Sequence, residues 1–141
     1  MEKYNVTFKG YRRDVNKAGL PSYGGVYFVY CCIYNEIPRT VTLNKLIYIG
    51  KAINIHDRIN NHDRYDDFKN QLEQGEQLCY SYSSISPNDM DVVENALIFM
   101  QKPILNDDLK DSFNYPDSEF SIEGACALLK MTNFSITSKS E

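Results

Sequence analysis

The stretch LIYIGKAINIHDRINNH, Leu46 to His62, joins the pattern of a buried strand to the pattern of a helix. Its second half places Arg58 and His62 four positions apart, which would put both side chains on one face of a helix. Gly50 and Lys51 lie at the junction, and no GxxxxGK[ST] loop is present. Three interpretations remain open from these residues alone: a phosphate site, a catalytic site, or only a strand that turns into a helix.

The neighbouring apolar runs predict the sheet around this stretch. GVYFVYCCIY, Gly25 to Tyr34, has no polar alternation and is typical of a strand buried on both faces. A second run follows a polar, Pro-containing connection, over Val41–Gly50, which predicts a long antiparallel hairpin. Gln77–Ile85 resembles a third strand. We therefore predict an α/β (α+β) fold, with a small central antiparallel three-stranded sheet flanked by helices.

Capping residues predict the helices. Asn54 can cap a helix over Ile55–Arg64, and a second helical piece is expected at Asp66–Gln74. Ser86, followed by a proline, is a strong helix start, and that helix should run to about Gln101.

Charge divides the chain of 141 residues unevenly. Residues 1–65 hold ten Lys or Arg and five Asp or Glu, whereas residues 66–141 hold five and fourteen. A basic half can meet a phosphate backbone while an acidic half faces away, although a solvated surface can be asymmetric by chance. We divide the chain into three parts: a basic segment at 1–22 packed on or flanking the domain, a core at 23–108, and an acidic extension at 109–141. The first part is expected to hold a short strand near Val6–Phe8, and the last part a helix at Ile122–Met131.

The cysteines and the apolar runs bear on the compartment. Cys31, Cys32, Cys79 and Cys126 form no CxxC pair and have no zinc spacing, so they are interpreted as small core residues in a reducing compartment. The N-terminus has no signal-peptide run, and no apolar stretch approaches the roughly 18 residues that span a bilayer. We expect a cytoplasmic protein that does not contact membranes.

Glu94 is the least expected side chain of the third helix. Met90, Val93, Leu97 and Ile98 form an apolar arc, and Glu94 lies inside it. A carboxylate on a core-facing side is costly unless it is paired, hydrogen-bonded or bound to a metal. Both a salt bridge to a neighbouring cation and a metal or catalytic site fit this position.

Two short motifs connect these observations to a known family. Gly25-Val26-Tyr27 and Tyr48-Ile49-Gly50 each place a tyrosine near a glycine in a predicted strand, although strand tyrosines are usually core residues. Their order, continued through GKAINIHDR, resembles the GIY-YIG nuclease domain, and is similar to the N-terminal nuclease domain of the bacterial excision-repair incision subunit. Tyr27 and Tyr48 are 21 positions apart, which is more than is usual in the family, and the extra residues fit the hairpin connection.

The resemblance implies a single-metal site. Glu94 would bind Mg²⁺ or Mn²⁺, Arg58 would clamp the phosphate, and Tyr27 would act as the base with Tyr48 as its partner. The cation that lowers the phenol pKa would be Lys51. The complete set of implied site residues is Tyr27, Tyr48, Lys51, Arg58, His62, Glu94 and Asn106; His62 would assist as a proton acceptor or phosphate contact, and Asn106 would order the site.

The function implied by the resemblance is that of a metal-dependent DNA endonuclease, in DNA repair or restriction. One such site cuts one strand, so a double-strand cut would need a homodimer, a larger nuclease complex or two binding events. Net acidity leaves two alternatives open: a nucleic-acid-binding module without independent cleavage, and a protein-interaction domain.

Overall fold

The computed structural model describes residues 1–137, so the last four residues of the predicted C-terminal extension lie outside the described residues. The described chain contains six strands, a short 3-10 helix at Asp14–Gly19 and three α-helices. The strands are β1 (Glu2–Arg13), β2 (Gly25–Asn35), β3 (Thr40–Ala52), β4 (Gln77–Ser84), β5 (Ser118–Gly124) and β6 (Asn133–Ile136). The helices are α1 (Ile55–Asn60), α2 (Tyr65–Asn70) and α3 (Pro87–Gln101).

All six strands belong to one sheet, in the order β3-β2-β4-β1-β5-β6. Strand β2 pairs antiparallel with both β3 and β4, which confirms the predicted hairpin and the predicted central strands. The prediction of a three-stranded sheet is wrong, because β1 pairs with β4, β5 runs parallel to β1, and β6 pairs with β5. The parallel partner of β1 lies more than a hundred positions away, so no local sequence pattern predicts this pairing.

The two faces of the sheet carry separate cores. Strand β2 sends Val26, Phe28, Tyr30 and Cys32 to the face covered by α3, and it sends Tyr27, Val29 and Cys31 to the face covered by α1 and α2. The expected burial of β2 on both faces is therefore confirmed. Because Phe8, Phe120 and Phe134 belong to the same core as the α3 residues, the outer strands extend that core.

Both chain ends differ from the predictions. Strand β1 covers twelve residues rather than the three near Val6–Phe8. No helix forms at Ile122–Met131, because Phe120 and Ile122 alternate with exposed residues and pack into the α3 core as part of β5. The acidic composition of this region obscured the period-two pattern of a half-buried strand.

The helices begin where the capping residues predict. The side chain of Asn54 accepts a hydrogen bond from the backbone N–H of Asp57 at 3.0 Å, and α3 spans the predicted residues. The first helix, however, ends at Asn60 rather than at Arg64, and α2 is shorter than predicted. The chain between α1 and α2 is a turn that contains His62.

Two cysteines differ from the interpretation of all four as separate core residues. Cys32 and Cys79 are fully buried and form a disulfide between β2 and β4. Cys31 is a buried free thiol on the opposite face of β2. Over residues 1–137, none of the helices is long and apolar enough to cross a membrane.

Candidate active site

The site is built around Gly50, which lies inside β3 opposite Tyr27 of β2. A Cβ atom at Gly50 would lie 2.4 Å from the Tyr27 hydroxyl oxygen and 2.5 Å from its Cζ atom. Only glycine therefore lets the phenol ring cross the neighbouring strand at this position. The junction of strand and helix lies further along the chain than Gly50 and Lys51, since β3 continues to Ala52.

Hydrogen bonds fix the protonation state of His62. Its Nδ1 accepts the backbone N–H of Arg64 at 3.1 Å, and its Nε2 lies 2.7 Å from the hydroxyl oxygen of Tyr27. Because Nδ1 is an acceptor, the proton of the neutral ring is on Nε2, and His62 donates to Tyr27. Burial, together with the positive charge of Arg58, lowers the pKa of His62 to about 4, so the ring is neutral at pH 7.

Arg58 of α1 approaches the same hydroxyl group. It forms an ion pair with Asp63 at 2.8 Å, its side chain stays 36% exposed, and its positive charge acts on the Tyr27 phenol. The expected shared helix face for Arg58 and His62 is not formed, because His62 lies beyond the end of α1. The two side chains meet instead at Tyr27, where the turn after α1 carries His62 back onto the sheet.

The two tyrosines differ in exposure. Tyr27 is 0% exposed, whereas Tyr48 is partly exposed; their ring centres are 6.3 Å apart. Burial raises the pKa of both phenols, and the charge of Arg58 opposes the rise in each. The charge of Arg64 also opposes the rise at Tyr48, and the role implied for Lys51 stays a prediction.

Glu94 of α3 is only partly exposed, and Lys51 lies close enough for its charge to act on the carboxyl group. Burial raises the pKa of its carboxyl group to about 7; the positive charge of Lys51 opposes the rise, and the negative charge of Asp91 adds to it. The side chain of Lys51 is itself ion-paired with Asp91, one helical turn before Glu94. Lys51 does not form the salt bridge left open for Glu94, because Asp91 holds its ammonium group, and the metal or catalytic interpretation stays a prediction.

Asn106 binds the open edge of β3. Its side chain accepts the N–H of Ile49 at 3.0 Å and donates to the Ile49 carbonyl at 2.8 Å. The N–H of Leu105 donates to the carbonyl of Ile47, so the segment after α3 pairs with β3 as a neighbouring strand would. Asn106 thus holds the backbone between Tyr48 and Gly50.

A cleft of about 640 Å³ gathers part of the predicted set. Tyr48, Lys51, Glu94 and Asn106 line it, whereas Tyr27, Arg58 and His62 form a layer that does not line it. Among residues 1–137, no three His, Cys, Asp or Glu residues are grouped as metal ligands. Glu94 alone fits a Mg²⁺ ion whose other ligands are water and phosphate oxygens, which is a common arrangement for this ion.

Sequence reasoning missed two charged residues of this region. Arg64 lines the cleft; its guanidinium group lies 5.6 Å from the ring of Tyr48 and donates to the Leu105 carbonyl. Asp91 neutralises Lys51 at the rim. The available signals were the third arginine or histidine within seven residues after Asp57, and an acid one turn before Glu94 on the same helix.

The sheet, the three helices and this cleft define a nuclease-type α/β fold. A family model described as the GIY-YIG catalytic domain matches residues 23–104, more than half of the chain, and the chain therefore belongs to the GIY-YIG family. The match begins just before β2 and ends just after α3, so it does not include β1, β5 and β6. No curated protein and no solved structure matches the chain.

Proposed function

We propose that the protein is a metal-dependent DNA endonuclease that hydrolyses phosphodiester bonds. The observation that carries the proposal is the opening of Glu94, a carboxyl group with a pKa raised to about 7, onto the same cleft as Tyr48 and Lys51. A carboxylate kept in a desolvated position at this cost is typical of a group that waits for a cation. Family membership supports the nuclease class independently of this geometry.

Glu94 is the residue that would hold the metal, and Mg²⁺ or Mn²⁺ suits a single carboxylate with water and phosphate. When bound there, the ion supplies charge neutralisation at the phosphate and at the leaving oxygen. Lys51 adds a positive charge on the same wall of the cleft once the phosphate competes with Asp91 for its ammonium group.

Tyr48 is the better candidate for the group that takes the proton of the attacking water; it would first have to release its own phenol proton to solvent, which the charge of a bound metal would favour and burial opposes. Tyr48 lines the cleft, whereas the hydroxyl group of Tyr27 is buried and already receives a hydrogen bond from His62. This assignment reverses the order of the two tyrosines that the resemblance implies. Tyr27 would then position Arg58, which does not line the cleft and would clamp a non-bridging phosphate oxygen only by releasing Asp63.

His62 and Asn106 act through other residues in this proposal. His62 is a neutral donor that holds Tyr27, rather than a proton acceptor. Asn106 fixes the β3 backbone on which Tyr48 lies. Both are positioning residues, because their hydrogen-bonding atoms are occupied within the protein.

One observation favours a second candidate, a nucleic-acid-binding module without independent cleavage. Asp107 and Asp108 line the cleft, and Asp91 pairs with Lys51 at its rim, so carboxylates oppose the approach of a phosphate backbone. A partner that neutralises them, such as a second copy or a nuclease complex, would then be required for cutting.

Plasmid nicking in Mg²⁺ or Mn²⁺ tests the proposal, with Glu94→Gln as the variant and Glu123→Gln on the exposed face of β5 as the matched control. We expect the parent protein and Glu123→Gln to nick DNA and Glu94→Gln to lose the activity. Nicking by Glu94→Gln at the parental rate would refute the assignment of Glu94. Salt-sensitive DNA binding without nicking by the parent protein would favour the second candidate.

A further inference from the structure

A second cavity, of about 730 Å³, shares Lys51 with the cleft. It lies where β2 begins, where β3 and β4 end, and at the first turns of α3. The Lys51–Asp91 ion pair lines it, and Asp91 lies one helical turn before Glu94. The cavity is therefore continuous with the wall that carries the candidate metal ligand.

The walls of this cavity are mainly apolar with a few hydroxyl groups. Ala52, Ile53, Ile85 and Met90 supply the apolar surface, and two serines, Ser84 and Ser86, supply hydrogen-bonding groups. Ile53 is 92% exposed, which leaves an unpartnered apolar side chain at the rim. Volume and lining are those of a site for a small, flat organic group rather than for a phosphate.

Gly24 keeps the floor of the cavity open. A Cβ atom there would lie 2.8 Å from the carbonyl oxygen of Ile53 and 3.2 Å from the terminal methyl carbon of Met90. Any larger residue would push against the backbone that carries Ile53. The glycine thus preserves a close approach of the two walls without filling the space between them.

We propose that this cavity, here called the base pocket, binds an unstacked nucleobase of the nucleotide next to the scissile phosphate. The inference rests on the proposed function. A phosphate held at Lys51, the residue that the two cavities share, places the attached nucleoside on the side of the base pocket. Enzymes that bind an extruded base hold it between apolar side chains and read its edge through hydrogen bonds. The preferred substrate is then DNA with an unpaired or single-stranded nucleotide at the cut.

Fluorescence of 2-aminopurine tests the base pocket without requiring cleavage. This base analogue is quenched when stacked in DNA and brighter when unstacked. Oligonucleotides carrying it at successive positions around the cleavage site are titrated with the parent protein in EDTA. We expect an increase at one position next to the cut, in a duplex with a single unpaired nucleotide there.

Variants at the rim give the matched comparison. Ile53→Ala removes an exposed apolar wall, and Ile37→Ala removes an isoleucine that is 93% exposed at the far end of the β2–β3 hairpin. Ser84→Trp, at an exposed position, fills the pocket. We expect Ser84→Trp to lose the fluorescence increase and Ile37→Ala to keep it unchanged. Ile53→Ala should reach the same increase only at about tenfold higher protein concentration.

The cleavage assay separates this inference from the proposed function. With Mg²⁺, Ile53→Ala should lower kcat/KM about tenfold on DNA with the unpaired nucleotide, and should leave the rate on the same DNA with an abasic residue there unchanged. Cleavage by the parent protein with no position-specific fluorescence change, or with equal effects of Ile53→Ala and Ile37→Ala, would overturn the base pocket alone. Absence of cleavage together with the fluorescence change would refute the nuclease and support the pocket.

Discussion

The two sides of the cleft are built in different ways. On the side of α1, Tyr27 and His62 are buried and hydrogen-bonded to each other, and the charge of Arg58 acts on both of them. On the side of α3, Glu94 is desolvated and Lys51 is neutralised by Asp91 at the exposed rim. The α1 side is complete without any ligand, whereas the α3 side has a carboxyl group whose charge is compensated only in part.

The difference also appears in how the two sides respond to pH. His62 has a lowered pKa, so it stabilises the fold above pH 6.5, and this contribution is lost as pH falls toward 4. Glu94 has a raised pKa, so its contribution is present below pH 4.5 and is lost as pH rises through 7. Under the proposed function, the α1 side would be preorganised for phosphate and the α3 side would depend on a cation.

The largest expected effect tests which of the two tyrosines acts as the base. Because Tyr48 lines the cleft, Tyr48→Phe should reduce the rate of Mg²⁺-dependent nicking by about 10³-fold, within the range for a lost proton acceptor. Tyr27→Phe keeps the buried ring and should cost about tenfold less than that. Single-turnover nicking rates measure both, and a larger loss in Tyr27→Phe would make the buried phenol the base.

His62 tests whether the α1 side acts as a donor network. His62→Gln can still donate to the Tyr27 hydroxyl group, whereas His62→Phe cannot; we expect activity losses of a few-fold and about 10²-fold. In the parent protein, the free energy of unfolding should fall by about 1–3 kcal/mol between pH 6.5 and 4 because of His62, and both variants should lack this fall. Nicking rates and urea unfolding at pH 4.5 and 7.5 provide the measurements. Equal activity of the two variants would rule out the donor role.

Substitution of Glu94 tests whether the charge of its carboxyl group lowers the stability of the fold when no metal is bound. Without metal, Glu94→Gln should be more stable than the parent protein by about 1–3 kcal/mol at pH 8, and should match it below pH 4.5. Mg²⁺ should stabilise the parent protein at pH 8 and have no effect on Glu94→Gln. Urea unfolding with Mg²⁺ and with EDTA decides this; the same Mg²⁺ effect in both proteins would place the metal elsewhere.

The rim ion pair gives the smallest expected effect. Asp91→Asn frees Lys51 and lowers the pKa of Glu94, so duplex DNA binding in EDTA should tighten by about threefold, while stability changes by less than about 0.5 kcal/mol because the pair is exposed. Asp66→Asn, which removes an exposed ion pair with Lys69 on α2, is the control. Salt titration of the gel shift measures both, and equal binding by the two variants would show that Asp91 does not restrain Lys51.

Local patterns were sufficient for the elements that lie between Gly25 and Gln101. The unbroken apolar run of β2, the Asn54 cap and the Ser86-Pro87 start each encode their structure within a few residues. The position of Glu94 within an apolar arc likewise identified a buried carboxyl group before any contact was known. Short-range periodicity failed for β1 and β5, because these strands are half-buried and pair over long sequence distances.

The sequence by itself determined which side chains are the candidates for the chemistry and the order in which they occur. The tertiary structure decided what each of them does: the partner of Nδ1 sets the tautomer of His62, Gly50 admits the ring of Tyr27, and Asp91 holds the ammonium group of Lys51. These properties depend on contacts between residues that are 2 to 40 positions apart and on distances of about 3 Å. No pattern in the linear chain specifies contacts at that precision, because they arise only when the strand edge, the turn after α1 and α3 are packed together.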